Sequence, residues 1–318
     1  MKPRARGISK SKLAIYAAIA GNMAIAITKF VAAAFTGSSA MLSEAIHSVV
    51  DTGNGWLMLF GVRKSRKPPD ADHPFGHGHE LYFWTLIVGV LIFAVGGGMS
   101  VYEGIQHILH PRSPENLVWS YGVLGFAVVF EGTTWLFGWK AFSAERGRKG
   151  VVEAIHETKD PSTFTVLLED TAALLGLLFA FAGIFLGSQL ELPFLDGVAS
   201  VLIGLLLCGV AVLMVYESKG LLIGEGLDRE SLESIRTLVE ADPGVEWVGH
   251  LHTMYLGPHE VLLTIELRFH GHISSLEVRQ AARRLRETIQ SKHPDISRIF
   301  FGAEALSEEG DLSLGHND

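Results

Sequence analysis

Apolar residues fill the first two thirds of the chain in stretches long enough to cross a bilayer. Each stretch holds about 20 residues or more, the length needed to span the hydrocarbon core as a helix. We therefore predict a bundle of six membrane-spanning helices within residues 13–222, covering 13–35, 39–62, 81–108, 117–142, 162–187 and 195–219. Small residues interrupt these stretches, as in Gly96-Gly97-Gly98, and they let helix backbones approach closely in lipid.

After residue 225 the pattern becomes that of a water-soluble domain. Two segments have the amphipathic period of a helix and three alternate between apolar and polar residues as strands do. The helical segments are 228–241 and 274–292, and the strand segments are 245–256, 259–269 and 296–301. The resulting order, αββαβ, predicts a small α+β domain over residues 226–305. We expect the acidic tail, 306–318, to be disordered.

The charges indicate an orientation in the membrane. The chain has 318 residues, of which 48% are hydrophobic and 19% charged, which is too apolar for an ordinary soluble protein. Basic residues gather in residues 1–12 and in the connections after the second and fourth predicted spans, whereas the other connections hold almost none. The positive-inside rule then predicts that both termini, including the basic segment 1–12, and the soluble domain are cytoplasmic. The short loops favour a bacterial inner membrane.

Several functional classes are disfavoured. The single cysteine, Cys208, excludes a disulfide within the chain and a cysteine-rich zinc site. No His-Glu pair is completed to the His-Glu-x-x-His motif of a metalloprotease, and no Gly-x-x-x-x-Gly-Lys phosphate loop is present. We therefore expect neither an enzyme nor a nucleic-acid-binding protein, and no organic cofactor.

Charged residues within the second and fifth predicted spans point to a site inside the membrane. His47 and Asp51 lie one helical turn apart, on the face that also carries Glu44 and Asn54. An ionisable group at this depth is costly unless it faces a polar interior, so it indicates a functional site. A nitrogen ligand beside a carboxylate suits a divalent transition metal.

The fifth span carries acids at a matching depth. Counting roughly 1.5 Å per residue from the helix ends places His47 and Asp51, and also Glu169 and Asp170, near the bilayer midplane. Two helices that present acids at one depth can close a single cation site between them. Each polar group could instead only join helices. For Asn22, Asn54 and Glu131 we leave open whether they pack helices or line a path to the site.

The loop after the second span contains a further group of potential ligands. Asp70, His73 and His77 have a spacing that suits Zn²⁺ or a similar ion, with Asp72 or His79 as a supporting partner. The alternative is a solvated polar loop without a metal.

These features together resemble the cation diffusion facilitator family of metal transporters. The resemblance covers nearly the whole chain and includes His47-x-x-x-Asp51, Asp70-x-x-His73-Pro74-Phe75-Gly76-His77-Gly78 and the segment from Glu103 to Pro111. It implies a homodimeric exporter whose soluble domains pair and in which a divalent cation exchanges for protons. It also implies a transport site formed by helices 2 and 5 and a second metal site on the loop between helices 2 and 3.

The chain departs from the family pattern at two places. The family usually has a ligand four residues before the acid of helix 5, and here Val166 stands four residues before Asp170. Glu169, Asn54 or water are the candidate replacements. In the soluble domain, His270-x-His272 could bind metal, although surface histidines without an ion are the simpler interpretation.

We expect an exporter of divalent transition metals, with Zn²⁺ first and Mn²⁺, Fe²⁺ and Co²⁺ behind, since histidine and carboxylate ligands accept all of them. Metal and protons compete for the same groups, which gives a physical basis for exchange without ATP. The alternatives are a metal-binding sensor or scaffold that does not transport, and a passive cation channel.

Overall fold

The computed structural model describes residues 7–112, 117–146, 150, 159 and 161–303. By its internal contacts the chain divides into two units. The first, which we call the helical unit, comprises Met1–Pro68 and His79–Leu222. The second, the soluble unit, comprises Pro69–Gly78 and Ile223–Asp318. The histidine-containing loop thus belongs with the C-terminal residues rather than with the helices that it connects.

The helical unit consists of long helices. They are α1 (Gly7–Thr36), α2 (Ser39–Ser65), α3 (His79–Leu91), α4 (Met99–Leu109), α5 (Leu117–Arg146), α6 (Pro161–Gln189) and α7 (Phe194–Ile223). A π-helical segment, Ile92–Gly98, joins α3 to α4. The sequence expectation that helices begin near residues 39 and 161 is confirmed.

Four helical segments of the described chain are long and apolar enough to cross a membrane: His79–Leu109, Leu117–Lys140, Phe164–Gln189 and Phe194–Ile223. In α1 the apolar part of the searched residues is shorter, Asn22–Thr36. Helix α2 has 27 residues but is less apolar, because His47, Asp51 and Asn54 interrupt it. The protein is therefore a multi-pass membrane protein with at least four apolar spans.

Glycines allow α4 to pack closely against α7. A Cβ atom on Gly104 would lie 2.7 Å from the carbonyl oxygen of Gly197, and one on Gly197 would lie 2.8 Å from the carbonyl oxygen of Gly104. Any larger residue at either position would push the two backbones apart. This contact agrees with the small-residue packing expected from the sequence.

Asp196, at the start of α7, holds the start of α2. Its carboxylate accepts hydrogen bonds from the Ser38 hydroxyl at 2.7 Å and from the Ser39 backbone N–H at 2.6 Å. The side chain is fully buried. A charge at the end of one helix thus caps the start of a neighbouring helix.

The soluble unit has the order α8 (Arg229–Glu240), β1 (Val245–Gly257), β2 (Glu260–Phe269), α9 (Ser275–Lys292) and β3 (Ile296–Ala303). The predicted αββαβ order is therefore confirmed. The sheet order is β1-β2-β3, with β1 and β2 antiparallel and β2 and β3 parallel. Helix α9 makes the crossover that a parallel pair requires.

One face of this sheet packs against the two helices. Ile235 on α8 and Leu285 and Ile289 on α9 join Leu263 and Ile265 of β2 in one buried cluster. Both helices begin with side-chain caps, from Asp228 and Ser274. Local capping and one shared apolar face thus both stabilise this small domain.

Candidate metal sites

A cavity of about 640 Å³ lies in the helical unit, among α1, α2, α5 and α6. Four acidic residues line it: Asp51 from α2, Glu131 from α5, and Glu169 and Asp170 from α6. The sequence predicted that the acids of the second and fifth spans would meet, and the structure brings them to one cavity. Glu131, for which the sequence left two interpretations open, joins them there.

The four acids surround the cavity without forming a compact ligand group. Among the residues that the structure describes, the group with three ligand atoms all within 4.8 Å of one another is the loop group Asp70, His73 and His77. In the bundle, binding a cation would therefore require side chains or helices to move closer.

His47 lies beside the cavity rather than in its lining. Its Nδ1 is 3.4 Å from Asp51 Oδ1 on the same helix, and its side chain is 2% exposed. Neither ring nitrogen has a hydrogen-bond partner among the described residues. Buried polar atoms are usually hydrogen-bonded, and coordination of a cation is one way to satisfy this imidazole.

Glu169 is oriented by α2. The Asn54 side-chain amide donates a hydrogen bond of 2.8 Å to Glu169 Oε1. On the neighbouring turn, the Trp135 indole N–H donates to Thr171 Oγ1 at 3.0 Å and joins α5 to α6. Although Glu169 and Asp170 are adjacent on a helix, both contribute to the cavity lining.

Val166 also lines the cavity and is half exposed. It lies one turn before Asp170, so both residues are on the same side of α6. The position at which the family usually has a ligand therefore faces the cavity, and an apolar side chain occupies it.

The sequence interpretation missed Lys29. This lysine is fully buried, and its Nζ lies 3.0 Å from Glu44 Oε2 and 2.8 Å from Glu131 Oε1. It also donates to the Ser48 hydroxyl at 2.9 Å. The signal was present, because Lys29 is a cation within the apolar segment Asn22–Thr36, and such residues pair with acids.

In the soluble unit, the predicted loop ligands are brought together. His73 Nδ1 lies 3.2 Å from Asp70 Oδ1, and His77 Nε2 lies 3.0 Å from Asp70 Oδ2. The backbone N–H of His73 also donates to Asp70 at 2.7 Å. Two imidazoles and one carboxylate fit the ligand preference of Zn²⁺ and leave a fourth position open.

The same contacts determine the charge of Asp70. The hydrogen bond from His77, followed by that from the His73 backbone N–H, lowers the pKa of Asp70 from 3.8 to about 2. The carboxylate is therefore ionised and available to a cation at any physiological pH. Of the two expected supporting residues, Asp72 contacts Asp70 through its backbone N–H, at 3.1 Å.

Arg298 and Gly78 hold this loop against the strands of the soluble unit. Arg298 Nη1 donates to the carbonyl oxygen of Pro74 at 3.3 Å, and its guanidinium lies 5.3 Å from the centre of the Phe75 ring. A Cβ atom on Gly78 would overlap the backbone of Leu256. The loop and the C-terminal strands are thus packed as one structure.

Four histidines of the α/β domain form two pairs. The rings of His270 and His272 are 5.4 Å apart, and those of His250 and His252 are 5.9 Å apart. His250 also lies 3.0 Å from Glu266. Among the described residues, neither pair belongs to a group of three close ligands.

Comparison with known proteins identifies the family. The model of the cation efflux transmembrane domain matches residues 15–223, and that of the cation efflux protein cytoplasmic domain matches residues 227–301. The mitochondrial proton-coupled zinc antiporter SLC30A9 of Mus musculus is 35% identical over 309 residues, which cover 94% of this chain and 54% of that protein. The manganese efflux system protein MneP of Bacillus subtilis is 25% identical over 307 residues, covering 94% of this chain and 97% of its own.

A solved structure of the C-terminal domain of MamM, in its nickel form, is 19% identical, covers 25% of this chain and 100% of its own, and has a TM-score of 0.23. The chain spans about half the length of the SLC30A9 relatives that it matches. The family models cover both units, and the match to SLC30A9 covers nearly the whole chain. This protein therefore belongs to the cation efflux family of membrane transporters, the cation diffusion facilitators.

Proposed function

We propose that this protein is a carrier that exports a divalent transition-metal cation from the cytosol in exchange for protons. The observation that supports it most is the cavity where Asp51 of α2 meets Glu169 and Asp170 of α6. Zn²⁺ is the first candidate substrate, with Mn²⁺, Fe²⁺ and Co²⁺ behind. The names of the relatives, a zinc antiporter and a manganese efflux protein, agree with this range.

In this proposal the helical unit crosses the membrane six times, with α3, the π-helical segment and α4 as one span. Helices α1 and α2 are the fifth and sixth spans, added to the four apolar ones. The membrane accommodates α2 because its polar residues face the interior of the bundle. Both termini are cytoplasmic, and the protein is a homodimer through its cytoplasmic and transmembrane domains. The match to the cation efflux cytoplasmic domain supports this assembly. A bacterial inner membrane remains our expected location.

His47, Asp51 and Asp170 are the proposed ligands of the transported cation, with Glu169 as a further carboxylate. A carboxylate binds either a proton or the cation, and the same holds for an imidazole nitrogen. Cation entering from the cytosol would therefore release protons, and protons entering from the opposite side would release the cation. Rocking of the helices would expose the cavity to each side in turn.

The loop group, Asp70, His73 and His77, is proposed as a separate metal site. Its three ligand atoms already lie within 4.8 Å of one another. Arg298 on β3 contacts the same loop. A bound ion there would therefore affect how the loop packs against the strands of the soluble unit. This site is expected to modulate transport and not to carry the cation across.

A flux assay on the purified protein in vesicles tests the proposal. The vesicles contain a pH-sensitive dye, and Zn²⁺, Mn²⁺, Fe²⁺ or Co²⁺ is added outside. Saturable metal uptake that moves protons the other way is expected, and Asp51→Asn and Asp170→Asn are expected to abolish it while the protein stays folded. Full flux in both variants would refute the assignment, and non-saturable flux would indicate a channel.

A metal sensor that does not transport is the second candidate. It is favoured by Val166, which places an apolar side chain in the cavity where the family usually has a ligand. Metal binding by the purified protein without any flux in vesicles would support this alternative.

A further inference from the structure

Lys29 forms a buried network that joins three helices. It uses each of its three ammonium donors, toward Glu44 and Ser48 on α2 and toward Glu131 on α5, at distances of 2.8 to 3.0 Å. A lysine with all its donors satisfied is stable in this position. The Lys29 ammonium group is thus shared between two glutamates, and one of them, Glu131, lines the cavity.

Glu131 has two different surroundings at its two oxygens. Oε1 accepts the hydrogen bond from Lys29, whereas Oε2 is buried without a hydrogen-bond partner among the described residues. Its side chain is 13% exposed, and the residue lines the cavity together with Asp51 and Asp170. A carboxylate oxygen without a partner is costly inside a protein unless a proton or a cation reaches it.

Another unpartnered carboxylate oxygen lies on α6, in the same lining. Asp170 Oδ2 is buried and has no hydrogen-bond partner among the described residues. Glu131 on α5 and Asp170 on α6 therefore each present an unpartnered carboxylate oxygen in one cavity lining. Val166, at the position where a further ligand is expected, has no atom that can bind a cation. The Glu131 oxygen can provide the ligand that Val166 lacks.

We infer that Glu131 is a further ligand of the transported divalent cation, and that Lys29 is a positioning residue that holds it at the cavity wall. The inference rests on the proposed transport function. Glu131 would add a carboxylate to those of Asp51 and Asp170 in the same cavity lining, which makes the site richer in oxygen ligands than a pair of histidines would. Oxygen ligands favour harder ions, so Glu131 widens the substrate range from Zn²⁺ toward Mn²⁺.

Lys29 gives this arrangement a means of release. Its ammonium attracts Glu131 and repels a dication in the cavity, and such interactions are strong where water is scarce. The cation and Lys29 therefore compete for one carboxylate. A carrier benefits from this competition, because a site that binds too tightly cannot let its substrate go.

The test compares Glu131→Gln with the parent in the full-length protein purified in detergent. Both carry His73→Ala and His77→Ala, which remove the loop site so that titration reports the bundle alone. Gln keeps an oxygen that accepts from Lys29, so the helices stay joined, which size exclusion and thermal melting verify. Glu103→Gln, on α4 and outside the cavity lining, is the matched control.

We expect Glu131→Gln to weaken Zn²⁺ binding by at least about tenfold, since even a residue that only supports a direct ligand contributes about that much, and Mn²⁺ binding by more. The visible spectrum of bound Co²⁺ should also change, because it reports the ligands and the geometry around the ion. Glu131→Asp keeps the charge on a shorter side chain, so its Zn²⁺ affinity should lie between those of the parent and Glu131→Gln. The Zn²⁺ affinity of Glu103→Gln should equal that of the parent.

Zn²⁺ affinity within twofold of the parent and an unchanged Co²⁺ spectrum in Glu131→Gln would overturn the inference. If Asp51→Asn loses binding in the same experiment, the proposed transport site stands and only the role of Glu131 fails. If Asp51→Asn and Asp170→Asn also bind normally, the proposed function itself fails.

Discussion

The Asn54 side-chain nitrogen lies 2.8 Å from Glu169 Oε1 and joins α2 to α6 beside the cavity. The two helices that carry the proposed ligands are therefore linked by a hydrogen bond near those ligands. Asn54 is itself buried. Its amide occupies one oxygen of Glu169 and so determines which oxygen remains for a cation.

We predict that Asn54→Ala weakens transport through its effect on Glu169. Without the amide, Glu169 loses a bond of about 1.5–3 kcal/mol, the usual range for hydrogen bonds to charged groups, and its orientation is no longer held. The half-saturating Zn²⁺ concentration in vesicle flux should rise several-fold. Thr28→Ala, which removes only a bond to the carbonyl of its own helix, is the control and should leave flux unchanged.

We predict that Val166→His adds a ligand to the transport site. Val166 lines the cavity one turn before Asp170, so an imidazole there would face the same space. Zn²⁺ affinity should rise about tenfold relative to Mn²⁺, because nitrogen ligands favour Zn²⁺. Titration of the purified protein measures this, with Val166→Leu as the apolar control. Equal affinity and selectivity in both variants would show that the position does not contact the cation.

The loop group makes a prediction about stoichiometry. His73→Ala and His77→Ala should each remove one bound Zn²⁺ per chain without abolishing flux, since the loop and the bundle provide separate ligands. Metal counting by elemental analysis after gel filtration checks this. His259→Ala is the control, because His259 is exposed and its ring lies beside Asp295, away from the loop ligands. Loss of all flux in the His73 and His77 variants would contradict a modulatory role.

The pH dependence of the loop follows from Asp70. The hydrogen bond from His77 lowers the pKa of Asp70 from 3.8 to about 2. A lowered pKa stabilises the folded loop above pH 3.8, and this contribution disappears only as the pH falls toward 2. Between pH 7 and pH 5 the Asp70 carboxylate therefore stays ionised, and its protonation does not release metal from the loop. Carbon NMR of Asp70 should show no titration above pH 4; a midpoint near 4 would contradict the hydrogen-bonded geometry.

A stability prediction concerns the buried cap of α2. Asp196→Asn turns one accepting oxygen into a donor that faces the Ser38 hydroxyl or the Ser39 N–H. The free energy of unfolding should fall by about 1–3 kcal/mol, the cost of leaving a buried polar group without a hydrogen bond. Thermal melting in detergent measures it. Asp228→Asn is the matched control, because it caps α8 from an exposed position and Asn caps as well as Asp.

Much of the fold follows from local sequence patterns. The period of apolar residues specified the helix starts near Ser39 and Pro161 and the αββαβ order, because each depends on residues close together in the chain. The ligand set of the loop was also predictable, since three potential ligands fall within the eight residues from Asp70 to His77.

By itself, the sequence thus determined which side chains are available at membrane depth and on the loop. Only the tertiary structure decided how they pair: Lys29 with Glu131, 102 positions later, Asp196 with Ser38, and Asn54 with Glu169. It also placed His47 beside the cavity lining. The physical reason is that these contacts depend on the relative rotation and depth of packed helices, which no local period encodes. A buried charge must find a partner, but which partner it finds is a property of the bundle.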